Sequence, residues 1–235
     1  MRRRLLSLPV LAALVGLAGS GNLTAAEQSE VVLVSGGVSL HKWEQYKSNP
    51  HDRWWMNFVR AARIRIQQIR AEEPGTRITW FVYRPAYVRR SVEEGKDLIR
   101  LVDSVRDAYR VNRVYFSKAQ ELIDYLNHGK NRERIKVGDF EYFGHSNKAC
   151  WMFDYSNFVD SASKSWLHQD DLKRLAPGIF EHQAYVRSWG CHTGESMSRQ
   201  FQEATGVPLW GAIGKTQYRT DELPMLCDRR GKWTR

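Results

Sequence analysis

The feature that most limits what this chain can fold into is its alternation of short apolar runs with stretches of helical period. The run VVLVSGG at 31–37 is continuously apolar and closes on glycines, as a strand buried on both faces requires. Trp55, Phe58, Val59, Ala62, Ile66 and Ile69 then recur at helical spacing, and Pro74-Gly75 ends that helix. Residues 78–83 read as a second strand and 98–109 as a second helix, with Ser91 and Glu94 as its capping box. A third strand over 111–116 leads through Ser117 and Gln120, a second capping box, into a helix carrying Leu122, Ile123 and Leu126. The fourth strand covers 135–144. Residues 151–155 read as a short strand or hairpin, and 167–175 as a helix stopped by Pro177-Gly178. A strand from Ala184 towards Cys191, a helix over 196–204 and a strand over 207–213 follow, while 38–52 reads as a long loop and the basic tail shows no pattern. This order predicts an α/β protein with a mostly parallel, roughly six-stranded sheet and helices on both faces.

Residues 1–26 stand apart. Arg2, Arg3 and Arg4 precede an apolar run over 5–18, and Thr24-Ala25-Ala26 offers small residues for cleavage before Glu27. That is the layout of a secretory signal peptide, and the run is short for a span of roughly 20 residues. The expectation is an exported protein, secreted or periplasmic, working as one domain over 27–235 with no membrane attachment once the signal is removed. The net charge of +10 falls to +7 without the three leading arginines. The remaining basic residues are scattered, and no nucleic-acid motif accompanies them, so no nucleic-acid partner is expected. Arg60, Arg63, Gln67 and Arg70 share one helical face, which reads as a solvated face. In an oxidising compartment three cysteines leave one thiol over. Pairing Cys150 with Cys227 leaves Cys191, and the other pairings stay open. No CxxC and no clustered His, Cys and Asp spacing points to a metal or another cofactor.

In sheets of this kind the working groups sit at the carboxyl ends of the strands. Two predicted strands end on reactive side chains: Phe140-Glu-Tyr-Phe-Gly-His145, and Ala184-Tyr-Val-Arg-Ser-Trp-Gly-Cys191. A thiol and an imidazole so placed make a nucleophile–base pair. Gly190 and Gly194 flank the cysteine, and a helix expected immediately after it would supply N–H groups that favour a thiolate and cradle an oxyanion. His192 adjoins the thiol, but neighbours along an extended chain point to opposite sides. The plain alternatives are a buried structural cysteine and a core histidine hydrogen-bonded to backbone. Gly144-His145-Ser146-Asn147-Lys148 is also similar to the nucleophile elbow of serine α/β-hydrolases, although Lys148 stands where a small residue is needed. Ser188-Trp-Gly-Cys191 resembles the Ser-His-Gly-Cys signature of L,D-transpeptidases, which are β-rich.

The two strand ends resemble the caspase-like (clan CD) cysteine peptidases, closest in pattern to their bacterial CHAT-type branch. Those proteins have an apolar strand ending His-Gly and a later one ending Ala-Cys-x-Ser-Gly. Here the matching stretches are Tyr142-Phe-Gly-His145-Ser146 and Trp189-Gly-Cys191-His-Thr-Gly194, within a resemblance that covers residues 111–213. It implies a three-layer sandwich and a cysteine endopeptidase acting on a peptide or protein substrate without cofactor. Cys191 would be the nucleophile and His145 the base, with the N–H groups of Ser146 and Cys191 as the oxyanion hole. Asp154, Thr193 and Gly194 are the implied substrate-binding residues, with Asp160, Asp221 and Glu222 as further acidic candidates. The chain departs from the family at Ser146 (glycine), Gly190 (alanine) and Thr193 (serine). The Ser146 side chain narrows the approach to the thiol, which leaves a catalytically inactive, caspase-like binding scaffold as the alternative.

Overall fold

The apolar run at 31–34 becomes the middle of the sheet, because only a central strand hides both of its faces. The computed structural model describes residues 28–46, 52–155, 165–227 and 229–235; the expected export signal over 1–26 and Asp160 lie outside these. β1 (Gln28–Ser35) is followed by α1 (His41–Glu44), α2 (Asn57–Glu72), β2 (Arg77–Tyr83), α3 (Arg84–Glu94), α4 (Leu98–Tyr109) and β3 (Asn112–Phe116). α5 (Ala119–His128) leads into β4 (Ile135–Phe143), and β5 (His145–Ser146), β6 (Cys150–Asp154) and β7 (Ser165–His168) form a small antiparallel sheet. β8 (Phe180–Ser188), α6 (Met197–Thr205) and β9 (Leu209–Ile213) come next. A two-stranded ribbon of β10 (Thr216–Gln217) and β11 (Met225–Leu226) precedes β12 (Lys232–Thr234).

The main sheet has seven strands in the order β12-β9-β8-β4-β1-β2-β3. All neighbours run parallel except β12 on β9. The protein is therefore α/β, with one strand more than the pattern predicts. The extra strand comes from the tail, where three residues are too few to carry a period. Alternate residues of β1 sort the core into two halves. Val31 and Leu33 pack with Phe58, Ile66 and Ile69 of α2 and Val102 of α4. Val32 and Val34 pack with Leu122 and Leu126 of α5 and Phe201 of α6. Helices thus cover both faces. Among the described residues no helix is long and apolar enough to cross a membrane.

Three local expectations are corrected. Ser91 and Glu94 do not open a helix; they close α3, which begins with Pro85 in its first turn and ends at Gly95 with φ +60°. α4 starts instead at Asp97, whose carboxylate accepts the Arg100 N–H at 3.0 Å. The helix after Ser117 is capped through Glu121 and not Gln120: that carboxylate accepts the N–H groups of Ser117 and Lys118. Residues 167–175 are the end of β7 and a 3₁₀ turn over Gln169–Arg174, because Trp151 and Cys150 of β6 recruit Leu167 and His168 as strand partners. Packing overrides a weak local period there.

A bulge at Gly138 in β4 shifts the register against both neighbours between Val137 and Asp139. Val137 and Phe140 consequently share one face, and Asp139 and Glu141 are turned towards Arg65 of α2. Arg65 donates to Asp139 at 2.8 Å and also to Glu141, whose other oxygen accepts the Trp189 indole N–H. One guanidinium here faces a buried carboxylate, Glu141, and a partly buried one, Asp139, whose Oδ1 has no partner among the described residues. Burial, and then the charge of Glu141, push the Asp139 carboxyl up to about 8 against the pull of Arg65. The folded state so keeps a proton that the unfolded chain releases near its ordinary value of 3.8. Stability from this group is present at low pH and is lost as the pH rises through the folded value. The melting temperature should fall between about pH 4 and about pH 8, and Asp139→Asn should flatten that slope. Equal slopes in the two proteins would refute the assignment.

Candidate active site

β4 delivers His145 just beyond its carboxyl end. Tyr142, a fully buried β4 residue, donates its hydroxyl to the His145 carbonyl at 2.7 Å. Tyr218 accepts the Gly144 N–H at 2.9 Å. Burial holds both phenols well above their ordinary range, so they stay neutral. The imidazole stacks on Tyr155 at 4.2 Å between ring centres and meets Phe58 edge-on at 5.0 Å. Its Nε2 lies 2.6 Å from Oδ2 of Asp52, a carboxylate only 1 % exposed. Asp52 was not legible in the sequence. It ends the stretch read as a loop and stands 93 residues from His145.

Asp52 is itself firmly set. Its Oδ2 accepts the Ser39 N–H at 2.6 Å, and its own N–H donates to Glu44 at 3.0 Å. Arg90 of α3, with no exposed surface, donates to the carbonyls of Ser39, Asp52 and Arg53. A single buried guanidinium thereby ties both flanks of the segment that carries Asp52.

Cys191 lies three residues past the end of β8. It does not open a helix: α6 starts only at Met197, so the expected N–H groups of a helix start are supplied differently. The Thr216 N–H donates to Cys191 Sγ at 3.4 Å, and the Thr216 hydroxyl lies 3.6 Å away. The residue after the thiol, His192, holds a left-handed φ of +62°. Its N–H donates to the Gly214 carbonyl at 2.8 Å and its ring engages Glu195, so it is committed away from the thiol. Strained backbone of this kind collects at working sites.

Tyr142 of β4 pairs with Ser188 of β8, and His145 and Cys191 each lie three residues beyond that pair. Ser146 Oγ donates to the Cys191 carbonyl at 2.7 Å, stitching the two ends together. Gly190 permits the approach, since a Cβ there would stand 2.1 Å from Ser146 Oγ. The thiol does not hydrogen-bond His145; its partners are on Thr216. The Cys191 N–H has no acceptor among the described residues. Because the Asn147 N–H donates to the Cys150 carbonyl, antiparallel alternation directs the Ser146 N–H away from β6.

No family model, curated protein or solved structure matches this chain. The remaining sequence candidates are therefore placed by geometry alone. Thr193 is fully buried, and the Gly194 N–H donates to Ala212 of β9 at 2.9 Å; neither presents a side chain to solvent. Asp154 is 2 % exposed and engages Arg89 at 2.7 Å and the Tyr83 hydroxyl at 3.2 Å. Asp221 and Glu222 are exposed between β10 and β11. The expected Cys150–Cys227 bridge is not formed. Cys150 opens β6 opposite His168, whereas Cys227 follows β11 and donates its N–H to Lys215. Burial and the charges of Asp171 and Asp170 push the Cys150 thiol up, which makes it a poor nucleophile. Among the described residues no group of three or more His, Cys, Asp and Glu is placed to hold a metal.

Proposed function

We propose that the protein is an exported cysteine-type hydrolase of peptide bonds, in which Asp52, His145 and Cys191 act in series. The observation that carries this reading is the 2.6 Å contact between buried Asp52 and His145 Nε2. A carboxylate there fixes the proton on Nε2 and leaves Nδ1 to exchange protons with thiol and leaving group. Cys191 Sγ adds to the substrate carbonyl while His145 takes the thiol proton. The developing oxyanion is received by the N–H groups of Cys191 and Ser146. His145 then protonates the leaving amine, and water attacks the thioester, releasing the acid and restoring the thiol. Catalytic hydrogen bonds are often long before substrate binds, so the thiol's contact with Thr216 is compatible with this sequence.

The serine alternative has less support. Ser146 Oγ donates to the Cys191 carbonyl and packs against Gly190, and a hairpin follows it where a nucleophile elbow needs a helix. The test is labelling by a thiol-directed acyl probe. Wild type and Ser146→Ala should be modified at Cys191, and Cys191→Ala should not. Undiminished labelling of Cys191→Ala would overturn the proposal.

A further inference from the structure

Resting on the hydrolase reading, we infer that the Ser146 hydroxyl is a positioning group that sets the spacing of the two oxyanion N–H groups. Ser146 is 7 % exposed, and its Oγ donates to the Cys191 carbonyl at 2.7 Å. The bond therefore joins the side chain of one proposed N–H donor to the backbone of the other. It also fixes the turn that follows the thiol. The Cys191–His192 peptide is gripped at both polar ends: its carbonyl by Ser146, and its N–H by the Gly214 carbonyl at 2.8 Å. One grip comes from the end of β4 and the other from the end of β9, the strands on either side of β8. His192 holds its φ of +62° between them. A left-handed φ is costly for a residue with a Cβ, and turning this peptide over would relieve it. The two hydrogen bonds oppose that turn.

Ser146 and Gly190 are a matched pair. A Cβ on Gly190 would stand 2.1 Å from Ser146 Oγ, 2.8 Å from Ser146 Cβ and 2.9 Å from the Gly144 carbonyl oxygen. An alanine there would drive the hydroxyl off the Cys191 carbonyl. With glycine at 146, two of those three clashes disappear. The missing side chain at 190 is thus the condition for the serine bond. The Ser146 side chain, expected to narrow the approach to the thiol, is turned to the Cys191 carbonyl, while the partners of the thiol are on Thr216. Its effect on the reaction is one of spacing. An oxyanion hole works only when both donors stand about 3 Å from the charge that develops. That contact is made in the transition state and not on binding, so a loosened tie lowers kcat and spares KM.

The test measures kcat and KM of the full chain on a reactive peptide ester, beside the rate at which iodoacetamide alkylates Cys191. Alkylation at a saturated carbon forms no oxyanion and serves as the control. Ser146→Ala should lower kcat about tenfold and leave KM and the alkylation rate within about twofold of wild type. An unchanged kcat would overturn the inference. A matching loss of alkylation would place the effect on the thiol, and a rise in KM alone would make Ser146 a substrate contact; either result also overturns it. The pairing is read from a double-variant cycle. Gly190→Ala should cost less, in kcat and in melting temperature, when introduced into Ser146→Gly than into wild type. Equal costs in the two backgrounds would refute the pairing. Should wild type hydrolyse no ester and take up no acyl probe, the hydrolase reading fails, and the oxyanion role with it. The melting temperatures of the cycle then decide by themselves whether Ser146 and Gly190 are matched.

Discussion

Cys191→Ala is expected to lower hydrolysis of a reactive peptide ester or amide by about 10³-fold or more, and His145→Ala by a similar factor. The double variant should be little worse than either single one. Members of a nucleophile–base pair act as one unit, so removing the first leaves the second with nothing to do. What remains would come from binding and from the N–H groups of Ser146 and Cys191, which survive both substitutions. The fold should tolerate the changes, because neither side chain belongs to the apolar core. Rates that fall independently and multiply in the double variant would mean that the two residues do not share a reaction step. Comparison of kcat/KM across the four proteins makes the decision.

Asp52→Asn is expected to cost about 10²- to 10⁴-fold in kcat while leaving the chain folded. The Ser39 N–H and His145 Nε2 both meet Oδ2, so an asparagine that turns its amide NH₂ to the histidine gives up the Ser39 bond, while Arg90 still holds the carbonyls of Ser39, residue 52 and Arg53. The amide NH₂ then faces His145 Nε2 as a donor. That fixes the imidazole proton on Nδ1, the nitrogen that must accept from the thiol. The fault is one of tautomer, and nitrogen-15 spectra of the ring report it directly. A merely structural Asp52 would alter melting temperature and leave the tautomer alone. An unchanged ring spectrum with unchanged kcat would remove Asp52 from the mechanism.

Much of the fold was legible because the relevant forces are local. Val31 to Val34 must be a strand hidden on both faces, and Phe58, Ile66 and Ile69 must be one side of a helix, whatever the rest of the chain does. The same periods place His145 and Cys191 beyond the carboxyl ends of two strands, and these turn out to be the adjacent β4 and β8. Local rules failed where a residue's role depends on a distant partner. Ser91 and Glu94 look like a helix start, yet Arg90 claims Glu94 at the end of α3. Lys232–Thr234 has no readable pattern, and becomes a strand only because β9 offers an open edge.

By itself, then, the sequence determined the α/β class and the positions of His145 and Cys191 along the chain. The tertiary structure decided the chemistry around them. Asp52 and Arg60 look like any solvated polar residue, since burial of a charge leaves no period in the neighbouring residues. Only the bonds of Arg90 to the carbonyls of Ser39, Asp52 and Arg53 set Asp52 against His145. The turn after Cys191 shows the same limit. Its glycines announce a bend, but the N–H that meets the thiol belongs to Thr216, 25 residues further on. Backbone periodicity reports which side of an element is apolar; it carries no record of which polar groups the finished fold brings face to face.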